Sequence, residues 1–134
     1  MIFVDTGYFL GLLQPGDPLQ QRARIYTHAV SGVRLTTEFI FIEVAATLSS
    51  PCNRRRVAPF IAALRVDPLY EIVPASSSLF EAGLLLCDAR PDKEWSLTDC
   101  ISFVLMQERG ISRALAFDHH FEQAGFEALL RREP

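Results

Sequence analysis

Four acidic residues stand where this chain could do chemistry. Asp5 closes the unbroken apolar run Ile2-Phe3-Val4, which reads as a strand buried on both faces, as in a parallel sheet. Glu43 sits inside Phe39-Ile40-Phe41-Ile42-Glu43-Val44-Ala45-Ala46, apolar on both sides in sequence. Asp99 lies in Ser96-Leu97-Thr98-Asp99-Cys100, and Asp118 closes Arg113-Ala114-Leu115-Ala116-Phe117 much as Asp5 closes the first run. In an open α/β sheet, ligands bind outside the carboxyl ends of the strands. Four carboxylates gathered at that edge repel one another and cannot all ionise without a cation. Oxygen ligands suit Mg²⁺ or Mn²⁺, and such ions promote phosphodiester hydrolysis by activating water and stabilising the leaving oxygen.

Each acid alone has a plainer role. Asp5 can serve only as the cap of the helix that follows. Glu43 belongs to a helix that is hydrophobic nearly all round and is expected to be buried. A carboxylate there costs several kcal/mol (roughly) unless it is paired with an arginine, emerges at an edge or binds a cation. Ser96 with an acid three residues on forms a capping-box pattern, with Asp in place of Glu.

The elements that must position these acids follow from the apolar pattern. Pro15-Gly16-Asp17-Pro18 ends a first helical stretch that begins after Gly7. A helix is expected over 19–30, then a short strand over 33–36. Thr36 or Thr37 caps a helix from Glu38 to Leu48. Asn53 caps the next, with Arg54-Arg55-Arg56 in its first turn, where basic residues oppose the helix dipole. Phosphate contact or a solvated charged face would each account for them. A strand over 70–73, a helix over 79–87 and a helix over 97–108 follow, then the strand over 113–117 and a weak strand over 126–130. Crossovers of this length predict a parallel α/β sheet with helices on both faces. His119 and His120 invite a metal reading, but adjacent side chains project in different directions and are not expected to share one ion.

At 134 residues the chain is read as one domain, 1–134, able to bury roughly two thirds of its extended surface. With 49% hydrophobic and 22% charged residues it is neither disordered nor membrane-spanning, since no apolar run reaches the roughly 18 residues a bilayer requires. The start lacks the basic segment of a signal peptide, so the cytoplasm is the expected location. Cys52, Cys87 and Cys100 are read as reduced thiols in or near the core. A net charge of −3 argues against non-specific coating of nucleic acid. The basic residues are twelve arginines and Lys93, a bias that favours bidentate phosphate contacts or simply reflects a GC-rich genome. Tyr8, Leu12, Leu13 and Tyr26 look exposed and exceed what a small core needs, which predicts self-association.

Ile2-Phe3-Val4-Asp5-Thr6, Glu43 after a Thr-Thr pair, Ser96-Leu97-Thr98-Asp99-Cys100 and Phe117-Asp118-His119-His120-Phe121 together resemble the acidic motifs of PIN-domain ribonucleases. The resemblance runs in order over nearly the whole chain. It implies a three-layer α/β/α fold with five parallel strands in order 3-2-1-4-5. It also implies Mg²⁺- or Mn²⁺-dependent cleavage of RNA, with Asp5, Glu43, Asp99 and Asp118 as the acidic quartet. Asp5, Asp99 and Asp118 would then hold metal, while Glu43 ligates or orients a metal-activated water. Thr6 and Ser96 match hydroxyl positions beside the site, and Gly7 departs from a position where many relatives are polar. Many proteins of this family and size are the toxins of VapBC-type toxin–antitoxin pairs, which implies a cognate antitoxin and frequently a homodimer. The alternatives are a housekeeping PIN nuclease for RNA processing and a non-catalytic, acid-lined binding or regulatory domain. Lys93, the sole lysine, lies in a loop, unlike the lysine of a receiver domain.

Overall fold

The computed structural model describes residues 1–134. Five strands, β1 (Ile2–Val4), β2 (Arg34–Thr37), β3 (Tyr70–Val73), β4 (Arg113–Leu115) and β5 (Glu127–Ala128), form one sheet in order β3-β2-β1-β4-β5. Every pairing is parallel, with Phe3 opposite Leu35 on one side and Ala114 on the other. Seven helices connect them: α1 (Thr6–Leu13), α2 (Gln20–Ala29), α3 (Glu38–Thr47), α4 (Val57–Val66), α5 (Ser77–Ala89), α6 (Leu97–Glu108) and α7 (His119–Gln123). α1 packs on α2 and α3, α3 on α4, α5 on α6, and α6 on α7. The predicted fold class and strand order are therefore the observed ones.

The central strand β1 is fully buried because sheet neighbours flank it on both edges and helices cover both faces. Aromatic side chains fill the two sides of the core. Phe9, Phe41 and Phe60 meet edge-on or tilted at 5.1–6.2 Å between centroids. Phe103 meets Trp95, Phe121 and Phe126 at 4.9–5.7 Å, and Phe3 reaches Phe121 at 6.3 Å. These contacts fix the loop before α6 and the first turn of α7, the segments that adjoin Asp99 and Asp118.

Several local expectations change. Arg54–Arg56 form a 3₁₀ turn ahead of α4, and Asn53 makes no capping bond through its side chain to it. The stretch after Asp118 is the helix α7, and the last strand covers two residues before a 3₁₀ turn, Leu129–Arg131. Tyr8 and Tyr26 are buried, because distant groups satisfy their hydroxyls: Tyr8 bonds Thr27 Oγ1 at 2.6 Å and Tyr26 donates to the carbonyl of Arg132 at 3.3 Å. Leu12 and Leu13 pack against the core. Exposed apolar residues occur on other helices, Val66 at the end of α4 and Ile25 on α2 among them; on α3 and α5, Ile42 is 62% and Leu85 72% exposed, with Phe80 and Leu84 also exposed on α5. So α3 buries one face only. Cys100 is buried and its thiol is pushed up to about 11 by that burial, Cys87 is half-buried, and Cys52 is exposed, outside the core.

The closest helix contact, α5 on α6, depends on Gly83. A Cβ there would stand 2.3 Å from Ile101 Cγ1 and 3.1 Å from its backbone. Gly83→Ala would gain about 1 kcal/mol of helix propensity, but overpacking against a β-branched side chain costs about 1–3 kcal/mol or more. Urea denaturation should therefore show a net loss of roughly 1–2 kcal/mol. A more stable variant would mean that the helices separate freely.

Candidate functional site

At the carboxyl edge of the sheet lies a cleft of about 610 Å³, lined among others by Asp5, Thr6, Glu43, Ser96, Asp99 and Asp118. All six residues singled out in the sequence meet there. Asp5 follows β1 and occupies the N-cap position of α1, yet its side chain makes no capping hydrogen bond. The plain capping role is thereby removed. Glu43 projects from the middle of α3 and is half-buried rather than enclosed, and the Thr6 hydroxyl donates to its Oε1.

Asp99 completes the foreseen capping box and also lines the cleft. Its backbone N–H donates to Ser96 Oγ at 3.0 Å, and its Oδ2 accepts the Ser96 N–H at 3.1 Å, completing the capping box. The same Oδ2 stands 3.0 Å from His120 Nδ1. Asp118 caps α7, its Oδ1 accepting the His120 N–H at 2.9 Å and lying 3.2 Å from His120 Nδ1. His120 thus holds carboxylates from two separate elements. It sits there because Phe121, fully buried against Phe103, anchors α7.

These contacts engage one oxygen of each carboxylate and leave Asp99 Oδ1, Asp118 Oδ2 and Glu43 Oε2 without a protein partner. Asp5 is the most strongly perturbed group. Burial pushes its carboxyl well above the usual range, the charge of Asp99 pushes it further, and Glu43 and Asp118 add to this against an opposing backbone hydrogen bond from Thr6. The residues fit a hard divalent cation: four carboxylates line the cleft, no thiolate does, and a cation would relieve the repulsion felt at Asp5.

The paired histidines differ from expectation. Ligating atoms of Asp118, His119 and His120 all lie within 4.8 Å of one another, and the two rings are 4.6 Å apart. Successive residues on a helix are about 100° apart rather than opposed, and at a first turn both rings can swing back to the capping carboxylate. Residues not foreseen on the cleft wall include His120, Phe117, Glu94 and Arg131. A histidine two residues after an N-capping aspartate carries a usable signal, because that cap accepts its N–H. Arg131 carries none, since only tertiary folding brings the last turn of the chain beneath β4.

The sequence pattern of the PIN domain matches residues 2–127. The 23S rRNA-specific endonuclease VapC20 of Mycobacterium tuberculosis is 30% identical over 126 residues, which cover 94% of this chain and 95% of that protein. Its crystal structure, described as that of a sarcin-ricin loop cleaving toxin, superposes with a TM-score of 0.84 at 28% identity, covering 94% of this chain and 96% of the other. FitAcB from Neisseria gonorrhoeae shares the fold at a TM-score of 0.68 and 15% identity, covering 96% and 95% of the two chains. A toxin–antitoxin complex from Klebsiella pneumoniae does so at 0.58 and 15%, covering 84% and 83%.

Proposed function

The chain belongs to the PIN-domain family, and on that footing we propose that it is a single-domain, Mg²⁺- or Mn²⁺-dependent endoribonuclease of the cytoplasm, the toxin half of a toxin–antitoxin pair. The observation that carries this is the pattern of carboxylate oxygens: each of Glu43, Asp99 and Asp118 spends one oxygen on the scaffold and turns another free. Asp5, Asp99 and Asp118 would hold the cation. When bound, it supplies a Lewis acid that makes water nucleophilic near neutral pH and stabilises the leaving oxygen. Thr6 fixes Glu43 through Oε1, so that Oε2 is oriented to take a proton from the attacking water. His120 keeps Asp99 and Asp118 at fixed separation, so the acids need not reorganise as the phosphodiester enters.

Likeness to a 23S rRNA-specific endonuclease makes ribosomal RNA the first substrate to try. The purified protein is incubated with 23S rRNA and with unrelated structured RNAs in Mg²⁺, Mn²⁺ or EDTA. Cleavage at discrete positions with metal and none with EDTA is the expected result, and intact RNA in every metal would refute the proposal. Cleavage of unrelated RNAs without an antitoxin co-purifying would favour a housekeeping nuclease.

Self-association is assigned to the exposed apolar residues of α3 and α5, not to the early helices. Ile42 and Leu85 are the most exposed apolar residues of these helices, and Phe39 and Phe80 line a hollow between the two. The protein should scatter light as a dimer at tens of micromolar, and Ile42→Glu with Leu85→Glu should give a folded monomer. A wild-type monomer at that concentration would count against it. No helix is long and apolar enough to cross a membrane.

A further inference from the structure

Phe117 has no place in the metal chemistry, yet it forms part of the cleft wall directly before Asp118. The residues leading to it, Ala114, Leu115 and Ala116, are fully buried, while Phe117 is 43% exposed. Arg131 lies over its ring with the guanidinium carbon 5.3 Å from the centroid. That guanidinium is held twice: its Nη1 donates to the Phe117 carbonyl at 3.0 Å, and its Nε forms an ion pair with Glu122 Oε1 at 2.7 Å. One of five N–H donors is used in a hydrogen bond and Nε faces Glu122, which leaves both Nη2 donors and one on Nη1 to meet an anion.

The charge of the cleft explains why such a feature is needed. Five carboxylates, Glu94 included, line it, and Arg131 is its only arginine or lysine. Phosphate attraction alone therefore holds a nucleic acid poorly there. Stacking of a base on an aromatic face is insensitive to that repulsion, because it uses the π surface and not the phosphate.

We propose that Phe117 and Arg131 form a nucleobase-binding subsite, in which a base of single-stranded RNA stacks on Phe117 and Arg131 contacts the adjoining phosphate. The assignment rests on the nuclease reading above. Phe117 precedes Asp118 and lines the same cleft, so the stacked base belongs to a nucleotide beside the phosphodiester that enters it. Phe117 is thus a substrate-binding residue that holds the base beside the cut, and Glu122 is a positioning residue that acts through Arg131.

The test uses full-length protein and single-stranded hexaribonucleotides carrying 2-aminopurine at successive positions. In protein silenced by Asp99→Asn, one position should lose fluorescence on binding. Phe117→Ala and Phe117→Leu should abolish that quench and weaken binding by roughly tenfold, while Phe117→Trp retains both. Arg131→Gln should lower the salt dependence of binding by about 0.7 in log–log slope. In the active enzyme, Phe117→Ala should raise KM about tenfold with kcat nearly unchanged. A Phe117→Leu enzyme with wild-type KM would overturn the subsite, since leucine keeps packing against Arg131 and lacks the ring. Wild-type protein that cuts no RNA would remove the nuclease reading itself, a result distinct from an active enzyme indifferent to Phe117.

Discussion

Asp99→Asn should abolish RNA cleavage and leave the metal-free protein as stable as before, or more so. Both scaffold contacts of this side chain use Oδ2. An asparagine with its carbonyl oxygen in that position keeps the Ser96 N–H and His120 Nδ1 as partners, and the Ser96 cap on its own N–H is untouched. What changes is the free Oδ1, replaced by an amide NH₂ that donates and cannot ligate a cation. Loss of residues that merely support a metal ligand typically costs 10–100-fold, so removing a ligand should cost about a hundredfold or more. A cation that binds only the folded state stabilises it by about 2.7 kcal/mol at a hundredfold excess over Kd. That increment should shrink in the variant. If Asp99 served only the capping box, the variant would keep its activity and its Mn²⁺ response. Thermal melts with Mn²⁺ or EDTA, run beside the cleavage assay, separate the cases.

Asp5→Asn should raise the melting temperature of the metal-free protein at neutral pH while eliminating cleavage. The Asp5 carboxyl is held well above its ordinary value of 3.8, by burial first and then by Asp99. A folded state that binds a proton more tightly than the unfolded chain loses stability as pH rises. The contribution of Asp5 is therefore complete below the unfolded value near 3.8 and declines as pH rises through the folded one. Asparagine has no proton to lose, so the variant's advantage should be largest at pH 7–8 and fade towards pH 4. Each kcal/mol of relieved repulsion corresponds to roughly 3–6 °C in a domain of this size. Mn²⁺ should reverse the ranking, stabilising wild type strongly, with proton release measurable by calorimetry in buffers of different ionisation enthalpy. A variant that melts at or below wild type in EDTA at pH 7 would show that the buried carboxylate is compensated in some other way.

The parts legible in the sequence are those whose cause is local. Ile2-Phe3-Val4 is a strand because an apolar run bounded by an acid has one low-energy place in a parallel sheet. Ser96 and Asp99 announce the start of α6 because each satisfies the other's backbone N–H within four residues. The same alternation of strand and helix brings Asp5, Glu43, Asp99 and Asp118 to one edge. By contrast, α7 spans five residues, too few to show a period.

What only the tertiary structure decided depends on partners far away in sequence. Tyr8 and Tyr26 look like surface residues until Thr27 and the carbonyl of Arg132 meet their hydroxyls, which makes burial affordable. Whether Asp5 caps α1 or stands bare among other acids is invisible locally, because the deciding charges lie on α3, α6 and α7. The choice of carboxylate oxygens left free is set by Thr6 and by His120, which bridges two elements 19 residues apart in sequence at their acids, Asp99 and Asp118. Arg131 reaches Phe117 only after β4 and the last turn are packed together. Sequence patterns record which faces avoid water, a property each segment has alone. The orientation of a polar side chain is a property of the pair, and the pair exists only when the chain is folded.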